Sequence, residues 1–205
     1  MSSNSPSQDR RAVRSRQWML EALLALVEEK DYASITIAEI TDRAGVSRPT
    51  FYLHFKTKDE ILLSYLDTVF EQFYSEIDPL LVGEAIPAPV GVQLFAQVRA
   101  HAGLFQLLSQ AGADFLLVER FQRYTLRVFQ RFLEKNLHRP IEPRLLDFVA
   151  NYLSGASWVM LRRWLVSGLQ PAPEVMGELY CALIQPGLAN VLAHGTLDEL
   201  MASAY

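Results

Sequence analysis

Between residues 36 and 60 the chain is punctuated too often for a long helix. Thr36-Ile37-Ala38-Glu39 has the capping-box pattern, in which the Thr hydroxyl accepts from the third backbone N–H and the Glu reaches back. The helix it opens can run only to Arg43-Ala44 before Gly45, a residue free to take a left-handed turn. Ser47 then offers another N-cap, and Pro49 sits in a first turn, where its missing N–H does no harm. Thr57-Lys58-Asp59-Glu60 repeats the capping-box pattern. The spacing predicts two short helices, Ile37 to Arg43 and Arg48 to about His54, joined by a tight glycine turn, which is a helix-turn-helix pattern. Ile40, Val46, Phe51 and Phe55 are spaced to fill a core against Trp18, Ala22 and Leu26, leaving Arg48, Thr50, Tyr52 and His54 to face outward.

On either side the apolar spacing stays helical. Ala12 to Glu29 reads as one amphipathic helix and Ile61 to Phe73 continues another towards Asp78-Pro79. Further helices are expected at about 90 to 100, 102 to 110, 113 to 137, 144 to 167 and 174 to 194, with Pro140 and Pro143 ending the third of these. No alternating run suggests a strand, so the class expected is all-α.

Charge is distributed unevenly over the 205 residues. The chain carries a net -4 with a pI near 5.6, which argues against coating nucleic acid by bulk charge, so any such site must be local. Residues 1 to 58 hold nine basic and seven acidic residues, and two stretches inside them, Arg10 to Arg16 and Arg43 to Lys58, each hold four basic residues and no acidic one. Such clustering suits a phosphate-binding face, and equally a solvated one. A single cysteine, Cys181, fits a reducing compartment and reads as a small buried hydrophobe. The N-terminus lacks a secretory pattern and no long uncharged apolar run occurs, so a cytoplasmic protein away from membranes is expected. His54, His101, His138 and His194 have no metal-ligand spacing, and no nucleophile or phosphate-loop motif is present, so neither metal, cofactor nor enzyme activity is expected.

Thr36-Ile37-Ala38-Glu39-Ile40, Ala44-Gly45-Val46-Ser47-Arg48-Pro49-Thr50-Phe51-Tyr52, His54-Phe55 and Lys58-Asp59-Glu60-Ile61-Leu62 together resemble the N-terminal domain of TetR-family transcriptional regulators, over about residues 10 to 65. Asp31 departs from the Gly that the family often has before the aromatic at Tyr32. The resemblance implies a three-helix DNA-binding domain at 1–56, with 1–9 disordered, and a helical regulatory and dimerisation domain at 57–205. It implies that Thr36, Tyr52, His54 and Lys58 contact phosphates and that Ser47, Arg48, Pro49 and Thr50 enter the major groove of double-stranded DNA. Arg48 suits a guanine edge, and Thr50 a thymine methyl or a phosphate.

The resemblance further implies a homodimer formed by the last two long helices, here through Leu161, Trp164, Leu165, Met176, Leu179, Tyr180, Leu183 and Ile184, with Gly155 and Ala156 small enough for close approach. It also implies a small-molecule effector in a pocket of the middle helices. The candidates are Phe70, Phe73, Phe95, Phe105, Phe115, Tyr124 and Trp158, with His101 and Asn151 as polar anchors, although an aromatic stripe is more often core. Arg120, Arg123, Arg127 and Arg131 share one helix face that could attract an anion or simply be solvated. The function implied is a repressor released from a pseudo-palindromic operator by its effector. The alternatives are an activator or partner-regulated dimer without a ligand, and an all-α enzyme.

Overall fold

Local signals set the helix boundaries in the structure, a computed structural model that describes residues 6–83, 86–136 and 141–202. Ten α-helices follow one another among these residues, with no strand: α1 (Pro6–Glu29), α2 (Ile37–Ala44), α3 (Arg48–His54), α4 (Lys58–Ile77), α5 (Ala88–Ala100), α6 (Ala102–Gln110), α7 (Asp114–Asn136), α8 (Pro143–Val166), α9 (Pro173–His194) and α10 (Leu197–Ala202). Two single 3-10 turns, Tyr32–Ser34 and Asp78–Leu80, lie between α1 and α2 and after α4. The all-α class is as expected. Helix α1 starts at Pro6, so residues 6–9, expected to be disordered, are helical, and proline is tolerated there because the first N–H of a helix has no partner anyway. The expected helix end at residue 137, His138 and Pro140 lie outside the described residues.

The chain divides into two compact units. The first comprises residues up to Thr68 together with Gln106–Ala113. In it α1 packs on α2 and α3, and Met19, Ala22, Leu23 and Leu26 of α1 are buried, as are Ile40, Phe51 and Phe55. Trp18 does not join this core, contrary to expectation. It is 48% exposed, because Met19, Leu23 and Leu26 take the inner stripe of α1 and turn Trp18 to its flank. Val46 is only half-buried.

The second unit comprises Val69–Phe105 and Asp114–Tyr205. Helix α5 lies on α9, and α7 on α8. One core cluster gathers Phe73, Ile77, Ile86, Val90, Phe129, Phe132 and Leu188. A second is built of rings: Phe121 meets Phe70 edge-on at 4.9 Å and Trp158 at 5.8 Å, and Phe95 meets Trp164 edge-on at 5.2 Å. Such ring pairs add about 0.5–1.5 kcal/mol each to the area they bury. Among the described residues α9 alone is long and apolar enough to cross a membrane. Its apolar side chains are divided between an inner row, Met176, Cys181, Ile184 and Leu188, and an exposed one, Val175, Leu179 and Leu183.

Candidate functional site

The first unit builds a helix-turn-helix from its caps. Thr36 Oγ1 accepts from Glu39 N–H at 3.3 Å, while the Glu39 carboxylate accepts from Thr36 N–H at 2.9 Å and from the Thr36 hydroxyl at 2.8 Å. Lys30 bonds the other carboxylate oxygen. These donors, Lys30 foremost, hold the Glu39 carboxyl at about 2, so it stays an acceptor throughout the neutral range. Gly45 closes α2 at φ 63°, the left-handed conformation that a side chain would oppose. Ser47 Oγ then accepts from Thr50 N–H at 3.2 Å and shares a hydrogen bond with the Thr50 hydroxyl at 2.8 Å, which starts α3.

Helix α3 is anchored by one fully buried ring, Phe51, packed edge-on against Tyr52 at 5.3 Å and tilted against Phe55 at 6.0 Å. That anchor turns Arg48, Pro49, Tyr52 and Leu53 outward as one stripe. Tyr52 is 59% exposed and Leu53 81%. Ser47 and Thr36 are exposed, whereas Thr50 and His54 are half-buried. Burial first, and the Arg16 charge second, hold His54 below its usual range, so at neutral pH its ring can donate to an anion but carries no charge. Leu53 was missed in the sequence, where an apolar residue beside Phe51 and Phe55 looks like core. Only its place one turn after Pro49 points to the outer face.

Lys58 is placed differently from the other residues expected at phosphates. Its Nζ donates to the carbonyls of Tyr32 at 2.6 Å, Ile35 at 2.8 Å and Ala33 at 3.3 Å, and lies 4.4 Å from the centroid of the Tyr32 ring. The Tyr32 hydroxyl in turn donates to Asp59. Lys58 therefore fastens the start of α4 to the turn that leads into Thr36.

In the second unit the expected aromatic lining separates. Phe70, Phe73 and Tyr124 border a cavity of about 70 Å³ together with Phe121, Ser157 and Tyr180. This is room for roughly two waters at about 30 Å³ each. Phe95, Phe105 and Trp158 are buried in the ring clusters and do not border it. Phe115, expected among the lining, is 70% exposed. Asn151 is exposed too, its amide donating to the Asp147 carbonyl at 2.8 Å, and His101 is half-buried at the end of α5. The arginine face of α7 is partly neutralised: Arg127 pairs with Glu71 at 2.5 Å, and Arg131 with Asp78 at 2.9 Å. No cluster of His, Cys, Asp and Glu suited to a metal occurs among the described residues.

The outer faces of α8 and α9 enclose an open groove of about 690 Å³, bordered by Tyr152, Ala156, Val159, Met176, Tyr180 and Leu183 among others. Tyr152, Val159 and Leu183 are exposed in it, and Phe148, Val166, Val175 and Leu179 are exposed elsewhere on the same two helices. Of the residues expected at a dimer interface, Leu179 and Leu183 are exposed on α9, and Trp164, Met176, Tyr180, Leu183 and Ile184 border the groove. Leu161, Trp164, Leu165, Met176 and Ile184 are buried within the unit, and Tyr180 is half-buried against Ser157 at 2.9 Å and the Phe95 ring. Both helices are apolar on nearly every side, so the pattern alone leaves open which stripe turns inward.

Residues 19–65 match the model of the tetR family of bacterial regulatory proteins. Over 55 residues the chain is 47% identical to the uncharacterized HTH-type transcriptional regulator YxbF of Bacillus subtilis, an alignment covering 26% of this chain and 14% of that protein. Along nearly its whole length it is 24% identical to the HTH-type transcriptional repressor KstR2 of Mycolicibacterium smegmatis, covering 93% of this chain and 97% of that one. Curated relatives matched over part of the chain are spanned over only 14% to 36% of their own length. The fold is similar to that of the dihydroxyacetone kinase operon activator DhaS, with a TM-score of 0.58 at 15% identity, covering 86% of this chain and 96% of that one.

Proposed function

We infer, for a chain that belongs to the TetR family of bacterial regulatory proteins, a cytoplasmic, sequence-specific DNA-binding repressor that acts as a homodimer on a pseudo-palindromic operator and is released by a small molecule. The observation that carries this reading is the exposed stripe of α3, with Arg48, Pro49, Tyr52 and Leu53 held outward by the Ser47 cap and the buried Phe51. A capped helix of this length fits a major groove about 12 Å wide. Arg48 takes a guanine edge, and Thr50 or Leu53 a thymine methyl. Ser47, Tyr52 and His54 supply hydroxyl and ring donors to phosphates, Thr36 supplies its hydroxyl by turning it from the Glu39 carboxylate, and Lys58 fixes the turn that presents Thr36.

A single short helix reads few base pairs, so two copies held about one DNA turn apart are needed for useful specificity. The exposed apolar stripe of α8 and α9 supports pairing of two protomers. Repression is favoured by the name of the relative that aligns along nearly the whole chain. The cavity between Phe70 and Tyr180 is the proposed effector site; it must widen, since a small-molecule site commonly needs about 300 Å³ or more.

Selection of genomic fragments with the purified chain at about 0.15 M salt tests the reading, because weak phosphate binding is suppressed there. Recovery of one inverted repeat is expected. A folded protein that enriches no sequence, with and without a metabolite library, overturns it.

A further inference from the structure

We propose that the cavity takes a compact, uncharged molecule bearing a hydroxyl or N–H group, which donates a hydrogen bond to the Tyr180 hydroxyl where α9 meets Ser157 of α8. The proposal rests on the effector reading above and names the chemistry that this site selects. The polar anchors expected from the sequence, His101 and Asn151, do not border the cavity, whereas Ser157 and Tyr180 do.

The protons of this pair can be placed. Ser157 is buried, and its hydroxyl donates to the Leu153 carbonyl at 2.5 Å. With that proton committed, the 2.9 Å contact between the Ser157 and Tyr180 hydroxyls is filled by the tyrosine proton. Burial holds the Tyr180 phenol above its usual range, so it stays neutral and keeps that proton. Both protons are then spent, and what remains on the Tyr180 oxygen is acceptor capacity. Tyr180 borders both the cavity and the α8–α9 groove, but Ser157 borders the cavity alone, so the hydroxyl pair stands on the cavity side of the tyrosine ring.

Charge is excluded on separate grounds. None of the described residues lining the cavity is Asp, Glu, Lys, Arg or His. Of the two other hydroxyls in the lining, that of Tyr124 donates to Glu71 at 3.1 Å, and Thr125 is a single neutral group. Beyond Tyr124, Glu71 and Arg127 neutralise each other at 2.5 Å. A carboxylate would therefore enter a carbon-lined space with its lone pairs against the Tyr180 oxygen, and an ammonium would find no carboxylate to pair with. A neutral donor satisfies the acceptor and leaves its apolar body to the rings of Phe70, Phe121 and Tyr124. Since the space is about 70 Å³, even one aromatic ring requires it to widen, which favours a compact molecule.

The test titrates the full-length chain at pH 7 with phenol, toluene, benzoate and benzylamine, single-ring probes that differ in the group they carry. Dissociation constants are read from the dependence of melting temperature on probe concentration. Phenol is expected to bind about two- to tenfold more tightly than toluene, the usual worth of one hydrogen bond. Benzoate and benzylamine are expected to bind at least about tenfold more weakly than phenol. Tyr180→Phe keeps the ring and removes the acceptor, so it should leave toluene binding unchanged and bring phenol down to the toluene value, with the oligomeric state unchanged by sedimentation. Benzoate or benzylamine binding as tightly as phenol, an undiminished phenol preference in Tyr180→Phe, or no saturable binding of any probe overturns the proposal. Phenol binding as expected without weakening the operator complex overturns the effector reading and leaves the ligand chemistry of the cavity intact.

Discussion

Gly91 and Gly177 touch backbone to backbone where α5 crosses α9. A Cβ on Gly91 would stand 2.6 Å from the Gly177 carbonyl oxygen, and one on Gly177 would collide with the backbone of Val92. Neither obstacle is a flexible side chain that can step aside, so the crossing requires glycine on both helices. Gly177→Ala is expected to lower unfolding stability by about 3 kcal/mol in urea titration, at the upper end of overpacking costs. Gly155→Ala meets open space and is expected to leave stability unchanged or raise it by up to about 1 kcal/mol through helix propensity.

The Thr36–Glu39 box makes the start of α2 sensitive to acid. Glu39 is held at about 2 in the folded state against an ordinary 4.5. A carboxyl depressed by folding contributes stability that is complete above its unfolded value and is lost as pH falls from about 4.5 towards 2. Glu39→Gln is therefore expected to flatten the acid limb of the melting-temperature profile in that window. Thr36→Ala is expected to cost about 1 kcal/mol at neutral pH through the lost cap. Thermal unfolding monitored from pH 7 to pH 2 checks both.

How much of this could be read in the sequence depended on whether the signal was local. Thr36, Gly45 and Ser47 announce the helix-turn-helix because a cap needs residues only three apart, and all three have the expected geometry. Trp18 and Met19 were ambiguous because both suit an inner stripe, and which one turned inward was decided by the facing Ile40 and Phe51. The same ambiguity applies to Leu161 and Trp164, expected at an interface: both are buried in the protomer, Trp164 also bordering the α8–α9 groove, whereas Val159 and Val175, which were not singled out, are exposed. Gly91 and Gly177 gave no signal, since their meaning lies in a contact between helices distant in the chain.

Lys58 has a different role to test. Its ammonium satisfies three carbonyls of the turn before α2 and stacks on Tyr32, so Lys58→Met is expected to cost about 1–3 kcal/mol, the usual range for a buried acceptor left unpaired. Operator affinity should fall with stability while the salt slope stays constant, because no phosphate contact is removed. A slope reduced by about 0.9 at unchanged stability would instead place the ammonium on a phosphate.

Arg48 is exposed at the start of α3, beside Pro49 and clear of any ion pair among the described residues. A bidentate contact to one guanine discriminates by about 1–3 kcal/mol. Arg48→Ala is expected to relax specificity at one base in each half-site by that amount, measured by competition between operators differing only there. An equal loss on every duplex would show that Arg48 holds the backbone and reads no base.

Leu183 separates dimerisation from folding, because its side chain is 63% exposed on α9 whereas Ile184, its neighbour, is buried. A charge at position 183 meets water in the isolated protomer and costs its fold little. In a paired α8–α9 face the same charge would be buried without a partner, at a cost of several kcal/mol in each protomer. Leu183→Glu is therefore expected to give a folded monomer by sedimentation, with a helical spectrum like that of the parent and greatly weakened binding to an inverted repeat. Val159→Glu, on the facing helix and equally exposed, should behave alike. Ile184→Glu, by contrast, should unfold the unit itself. A Leu183→Glu protein that remains dimeric would move the interface away from this stripe, and the proposed spacing of the two recognition helices with it.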